Sequence, residues 1–307
     1  MNKLDAGIKN EANEAALLNV IMYMDIQDVS VKNGSKVSDI IHSLGGIYDS
    51  PDGYNEYLKK HKDGSLDDYK DRQRQYQLLA SASNSNSHFA NSKIGDQSRL
   101  MNNPSYKEGG LGAATFTDTD GNVKVAYRGT GSGEWIDNGR AISGTVGIGS
   151  AQQKEAVDYF NRVVESNHYD VTKPNIEITG HSKGGNKAQF VTINSQYRDL
   201  IYRCYNFDGQ GMSPEAIEDF KKTYGEDAYI EATNKMYGFY NENDFVNPLG
   251  IYAVPESHRY YFESTAVKHG IADDIKYHYW DSYLNDDGTF SKQTEQGPIS
   301  KLVEDFS

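Results

Sequence analysis

Apolar positions change rhythm along the chain. The first hundred or so residues are polar with helical spacing, whereas from Leu111 short strand-length runs alternate with helix-spaced ones. The longest apolar stretch of the N-terminus, Leu17 to Met24 broken by Asn19, predicts an amphipathic packed helix. "SLDDYKDRQRQYQLLA" (Ser65 to Ala80) predicts the clearest helix, with Ser65 as its cap and Asp68 placed for a capping box. The Ser-, Asn- and Gly-rich stretch from Ser81 to Gly110 reads as a loop.

Beyond Leu111, "LGAATFT" and "VKVAYRG" flank "DTDGN" and predict a hairpin turning at Asp120-Gly121; a calcium loop would need ligands that are missing here. "SAQQKEAVDYFNRVVESN" carries Ala156, Val157, Phe160, Val163 and Val164 at helical spacing, and "NIEITG" reads as a strand. A helix from Lys183, a strand "IYRCYNF", a helix "SPEAIEDFKKTYG" and a strand "KMYGFYN" follow. The alternation predicts an α/β fold, a mainly parallel sheet with helices on both faces, whose functional groups gather beyond the carboxyl ends of the strands.

One such strand end carries chemistry. In "EITGHSKGGNKAQF" (Glu177 to Phe190) Ser182 stands between Gly180 and Gly184, after a strand and before a helix. This is the context of a nucleophile elbow: the glycines remove side chains from a sharp turn and leave the hydroxyl at its apex, beside backbone N–H groups at the helix start. An ordinary glycine-rich helix cap is the bland alternative.

Composition narrows the partners. The 307 residues carry a formal charge of -13, which repels polyphosphate and gives no footprint for nucleic acid. Cys204 is the only cysteine, so neither an internal disulfide nor a cysteine metal cluster is available. The apolar stretch at Leu17 is too short to span a bilayer, and the N-terminus lacks the basic start and cleavage site of a secretory signal. The expectation is a cytoplasmic chain or one exported without a cleavable signal. Residues 1–110 are expected as a helical, cap-like segment packed on a catalytic core of 111–307.

At "VKVAYRGTGSGEW" (Val123 to Trp135) the chain resembles the class 3 lipases of the α/β-hydrolase superfamily, in which a strand ending in aromatic-Arg-Gly-Ser/Thr supplies half of an oxyanion hole. The resemblance assigns Thr130 as one oxyanion donor and the N–H of Lys183 as the other, and reads Trp135 and Asp137 as structural. The Gly-His-Ser-Lys-Gly-Gly form of the elbow is similar to a bacterial branch of lipase-like hydrolases. The superfamily order of Ser, acid, His sets aside His42, His61, His88 and His168, which precede Ser182; His181 adjoins the serine and is read as pointing elsewhere. His258, His269 and His278 remain. "YNENDFVNPLGIYAVPESHRYYF" resembles the family stretch that makes Asp244 the acid and His258 noncatalytic, with Asp208 in "YNFDGQG" as the competing acid. "KYHYWDSYL" resembles the family's closing segment and favours His278 over His269. What the resemblance implies is a Ser182–Asp244–His278 triad acting on carboxylic esters of lipids without metal or organic cofactor, with peripheral membrane contact, and with a protein partner if the chain is an exported effector. A small-ester esterase, thioesterase or acyltransferase on the same triad, and a non-catalytic binding module, are the alternatives.

Overall fold

Polar side chains start the N-terminal helices and apolar ones bury them. In the computed structural model, which describes residues 2–24, 26–29, 31–98, 101, 110–129, 149–167, 174–266 and 271–306, the first layer is helical. It holds α1 (Ala6–Tyr23), α2 (Val37–Tyr48), α3 (Gly53–Lys60), α4 (Leu66–Ser85) and α5 (Ser87–Asn91). The Asp5 carboxylate accepts the Gly7 and Ile8 N–H groups at the head of α1, and Ser65 with Asp68 forms the full capping box of α4. α1 is not amphipathic as its sequence suggests: every residue from Ala15 to Met22 is buried, because the helix lies between the sheet and the other helices.

The stretch from Ser81 was expected as loop, and most of what is described there is regular. α4 runs on to Ser85, the Asn86 side chain caps α5 by accepting the Phe89 N–H, and β1 (Lys93–Gln97) follows. Serine and asparagine here act as caps and helix-edge residues. Their loop-like composition misleads because the same side-chain oxygens that favour turns also start helices.

Among the described residues, eight strands lie side by side in chain order. β1, β2 (Ala113–Thr117) and β3 (Val123–Tyr127) are antiparallel neighbours. β3, β4 (Ile176–His181), β5 (Ile201–Phe207), β6 (Met236–Asn241) and β7 (Arg259–Phe262) run parallel, and β8 (Gln293–Thr294) returns antiparallel to β7. At the β2–β3 hairpin the Asp118 carboxylate accepts the N–H groups of Asp120 and Asn122, which closes the turn.

Right-handed crossovers between parallel strands that advance in one direction place their helices on one face. α6 (Ala151–Asn167), α7 (Lys183–Asn194), α8 (Pro214–Tyr224) and α9 (Glu226–Thr233) accordingly share one core with Val123, Val125, Tyr127, Ile178 and Cys204. The alternate strand residues Ala114, Phe116, Ala126, Tyr205, Phe207 and Phe239 turn the other way and pack with α1, α2 and α4. Both faces are therefore covered, but the second is covered by the N-terminal helices rather than by the crossovers. Each large apolar side chain fully buried this way contributes about 1.5–3 kcal/mol. A last helix, α10 (Pro298–Phe306), follows β8. No helix among the described residues is long and apolar enough to cross a membrane. Sheet, crossovers and the strand–turn–helix at Ser182 make this an α/β-hydrolase fold.

Candidate active site

The chain reverses direction between β4 and α7 over a single residue. Ser182 takes φ 58° and ψ -128°, a conformation that non-glycine residues rarely adopt and that costs on the order of 1–3 kcal/mol. Close packing on both sides holds it there. A Cβ on Gly184 would stand 2.0 Å from the Tyr127 carbonyl oxygen, and one on Gly180 would stand 2.2 Å from the Gly184 carbonyl. Only glycines let β4, the turn and α7 approach this closely. The Ser182 N–H donates to the Phe207 carbonyl at 2.9 Å, while its hydroxyl makes no cap bond to α7 and is turned outward.

That hydroxyl lies 2.7 Å from His278 Nε2, and His278 Nδ1 lies 2.6 Å from Asp244 Oδ1. His278 ends a 3₁₀ segment, Ile271–His278, and Asp244 sits three residues past β6. Asp244 is fully buried, and its second oxygen accepts three bonds: from the Val246 N–H at 3.1 Å, the Asn247 N–H at 2.6 Å and the Asn247 side-chain amide at 2.9 Å. One carboxylate oxygen is thus fixed by its own loop, and the other is left for the imidazole.

Lys183 heads α7 with its side chain buried, so its backbone N–H lies directly after the serine. Thr130, Trp135, Asp137, His168 and His269 lie outside the described residues. Asp208 lies one strand over and does not reach the imidazole by a hydrogen bond. Its Oδ1 accepts the Asn241 N–H at 2.8 Å, and its Oδ2 finds no hydrogen-bond partner among the described residues. Burial, with Asp244 nearby, pushes the Asp208 carboxyl well above the usual carboxylate range. His258 bonds the Met236 carbonyl through Nδ1 and stacks on Tyr237, apart from Ser182.

His181 does not point away as its position beside the serine suggested. Its ring lies 4.9 Å, centroid to centroid, from that of His278, and its Nδ1 is 3.1 Å from the hydroxyl of Tyr23. Tyr23 in turn stacks on Trp280 at 3.9 Å with the planes 3° apart. No local pattern marks Tyr23: in the sequence it is one more residue of an apolar run, and the partners of its hydroxyl lie more than a hundred positions away.

Among the described residues one group could hold a cation, namely His88, Asp118 and Asp120 at the β2–β3 turn. It sits at the opposite end of β3 from Ser182, and Asp118 is already engaged by the turn and by the Asn122 amide.

The Mbeg1-like family model matches residues 83–246, more than half of the chain, including Ser182 and Asp244 and ending before His278. A comparison with curated protein sequences gave no match. Among solved structures, the Lip2 lipase of Yarrowia lipolytica is similar at a TM-score of 0.47 and 12% identity over 99% of this chain and 91% of that one. M37 lipase is similar at a TM-score of 0.37 and 11% identity over 76% of this chain and 68% of that one. With its matched segment running from the end of α4 through the elbow to the loop of Asp244, the chain belongs to the Mbeg1-like family.

Proposed function

We propose that the chain is a serine hydrolase of carboxylic esters, with acyl esters of lipids as its substrate class. The observation that carries this reading is the unbroken hydrogen-bonded line from buried Asp244 through His278 to the hydroxyl of Ser182, on a strained strand-to-helix turn. In the proposed reaction His278 Nε2 takes the Ser182 proton as the oxygen attacks the ester carbonyl. Asp244 holds Nδ1–H and stabilises the imidazolium that forms. The N–H of Lys183 at the start of α7 and Thr130 are the proposed donors to the tetrahedral oxyanion. The imidazolium then protonates the leaving alcohol, and water attacks the acyl-enzyme with His278 again as base. The resemblance of the Arg-Gly-Thr and Gly-His-Ser-Lys-Gly-Gly stretches to class 3 lipases supports the lipid ester as substrate. With a net charge of -13, approach to strongly anionic surfaces is disfavoured at low salt, so neutral and zwitterionic lipids are the expected substrates.

The test is to incubate wild type and Ser182→Ala with vesicles of zwitterionic phospholipid and triacylglycerol and to follow the products by mass spectrometry. Free fatty acid with lyso- or diacyl products from wild type alone is the expected result. Turnover restricted to short soluble nitrophenyl esters would replace the lipase reading by a small-ester esterase. A folded sample that hydrolyses no ester would leave only a binding module.

A further inference from the structure

The N-terminal helical layer reaches the site at one point. Tyr23, the last residue of α1, places its hydroxyl where the end of β3 passes the elbow. The hydroxyl accepts the Gly129 N–H at 2.9 Å and shares a hydrogen bond with His181 Nδ1 at 3.1 Å. Gly129 is buried and has no side chain because there is no room for one: a Cβ would stand 2.0 Å from the Tyr23 hydroxyl, 2.9 Å from the His181 carbonyl oxygen and 3.2 Å from Ser182 Cβ. Burial, reinforced by the neighbouring His278, holds the His181 pKa well below the usual imidazole value, so the ring is neutral near pH 7. A neutral ring offers one donor and one acceptor, and a phenol hydroxyl can serve either while accepting the Gly129 N–H. The phenol ring itself is clamped: Trp280, two residues after His278, stacks on one face, and the Arg72 guanidinium bonds the Tyr23 carbonyl oxygen.

We infer that Tyr23 is a positioning residue of this site, its hydroxyl fixing Gly129 at the end of β3 against Ser182 and His181. The inference rests on the hydrolase reading above. It gives the helical layer a part in the reaction: one hydroxyl ties the strand end that precedes a proposed oxyanion donor to the residue before the nucleophile. A group that acts by holding the elbow and the neighbouring strand end in place acts on the transition state, whose developing oxyanion depends on where its donors are held, more than on ground-state binding.

Tyr23→Phe removes the hydroxyl and keeps the stack on Trp280. With a soluble nitrophenyl ester, kcat should fall about 10- to 100-fold, since misplacing a catalytic group by an ångström has an effect of about that size, while KM stays within about threefold. Affinity for a trifluoromethyl ketone, which forms a tetrahedral adduct on the serine, should weaken in parallel with kcat/KM. A purely structural role would lower the melting temperature without splitting kcat from KM or loosening the adduct. If Tyr23→Phe does not fold, Gly129→Ala, whose methyl would displace the hydroxyl from the other side, should show the same loss. Wild-type values in the folded variant would overturn this inference and leave the hydrolase reading intact. A wild type that neither hydrolyses esters nor reacts at Ser182 would overturn both.

Discussion

Replacing Asp244 by asparagine tests the proposed triad without removing its scaffold. The two carboxylate oxygens of Asp244 are not equivalent: Oδ2 accepts from the Val246 N–H, the Asn247 N–H and the Asn247 side-chain amide, whereas Oδ1 faces only His278 Nδ1. In Asp244→Asn the carbonyl oxygen must take the place of Oδ2, because an amide NH₂ there would meet three donors. The NH₂ then faces His278 Nδ1 and donates to it, which moves the imidazole proton to Nε2. In that tautomer Nε2 donates to the Ser182 hydroxyl instead of accepting from it, and the base is lost. The comparable exchange in a serine protease triad lowers kcat by about 10⁴, equivalent to about 5 kcal/mol of transition-state stabilisation. The loop keeps its three bonds, so the melting temperature should fall by no more than about 4 °C. Steady-state turnover of a nitrophenyl ester, with circular dichroism melting on the same samples, measures both. A folded Asp244→Asn that retains a tenth or more of wild-type kcat would refute the assignment of Asp244.

Two further substitutions separate structure from chemistry. Asp208→Asn should keep ester turnover within about tenfold of wild type and should change how stability depends on pH. The buried wild-type carboxyl keeps its proton above the unfolded value of 3.8, so wild type loses stability as pH rises from there through the raised folded value. Asparagine cannot ionise, and its stability relative to wild type should grow as pH rises above the unfolded value in urea titrations; a difference that does not vary with pH would contradict this. On β3 and β4, Lys124 and the fully buried Glu177 pair at 3.0 Å, and Glu177 Oε1 has no hydrogen-bond partner among the described residues. Lys124→Met should cost about 3–5 kcal/mol by stranding Glu177, and adding Glu177→Leu should recover most of it; a single variant costing under about 1 kcal/mol would mean that the pair is not ionised.

How much of this the sequence displays depends on how local each signal is. The strands from Ala113 to Asn241 and the helices between them follow from apolar period, caps and turn residues, all contained within a few positions. Ser182 stands out because its turn is enforced by near neighbours, Gly180 and Gly184. Asp244 and His278 stand out through the resemblance together with chain order, and the structure brings Asp244 into hydrogen-bond contact with His278, and His278 with Ser182. The regular structure between Ser81 and Gln97 is hidden because capping side chains and loop side chains are the same residues. The part played by Tyr23 and the inward turn of His181 are hidden for another reason. They exist only once α1, β3 and the His278 segment are assembled, and no spacing within any one segment encodes them.

The helical layer over the second face of the sheet also bears on how the chain is made. α1 is synthesised long before some of its partners: Asn19 bonds Thr179, and Glu11 pairs with Arg203. Until β4 and β5 have been synthesised, the buried stretch of α1 from Ala15 to Met22 lacks two of the strands it packs against. Such long sequence separations slow folding and prolong the time that sticky surface is open to other chains. Nascent chains of this protein therefore need shelter until β5 and β6 emerge, and a polypeptide beginning at residue 83 would present Phe116, Phe207 and Phe239 to solvent as an aggregation surface.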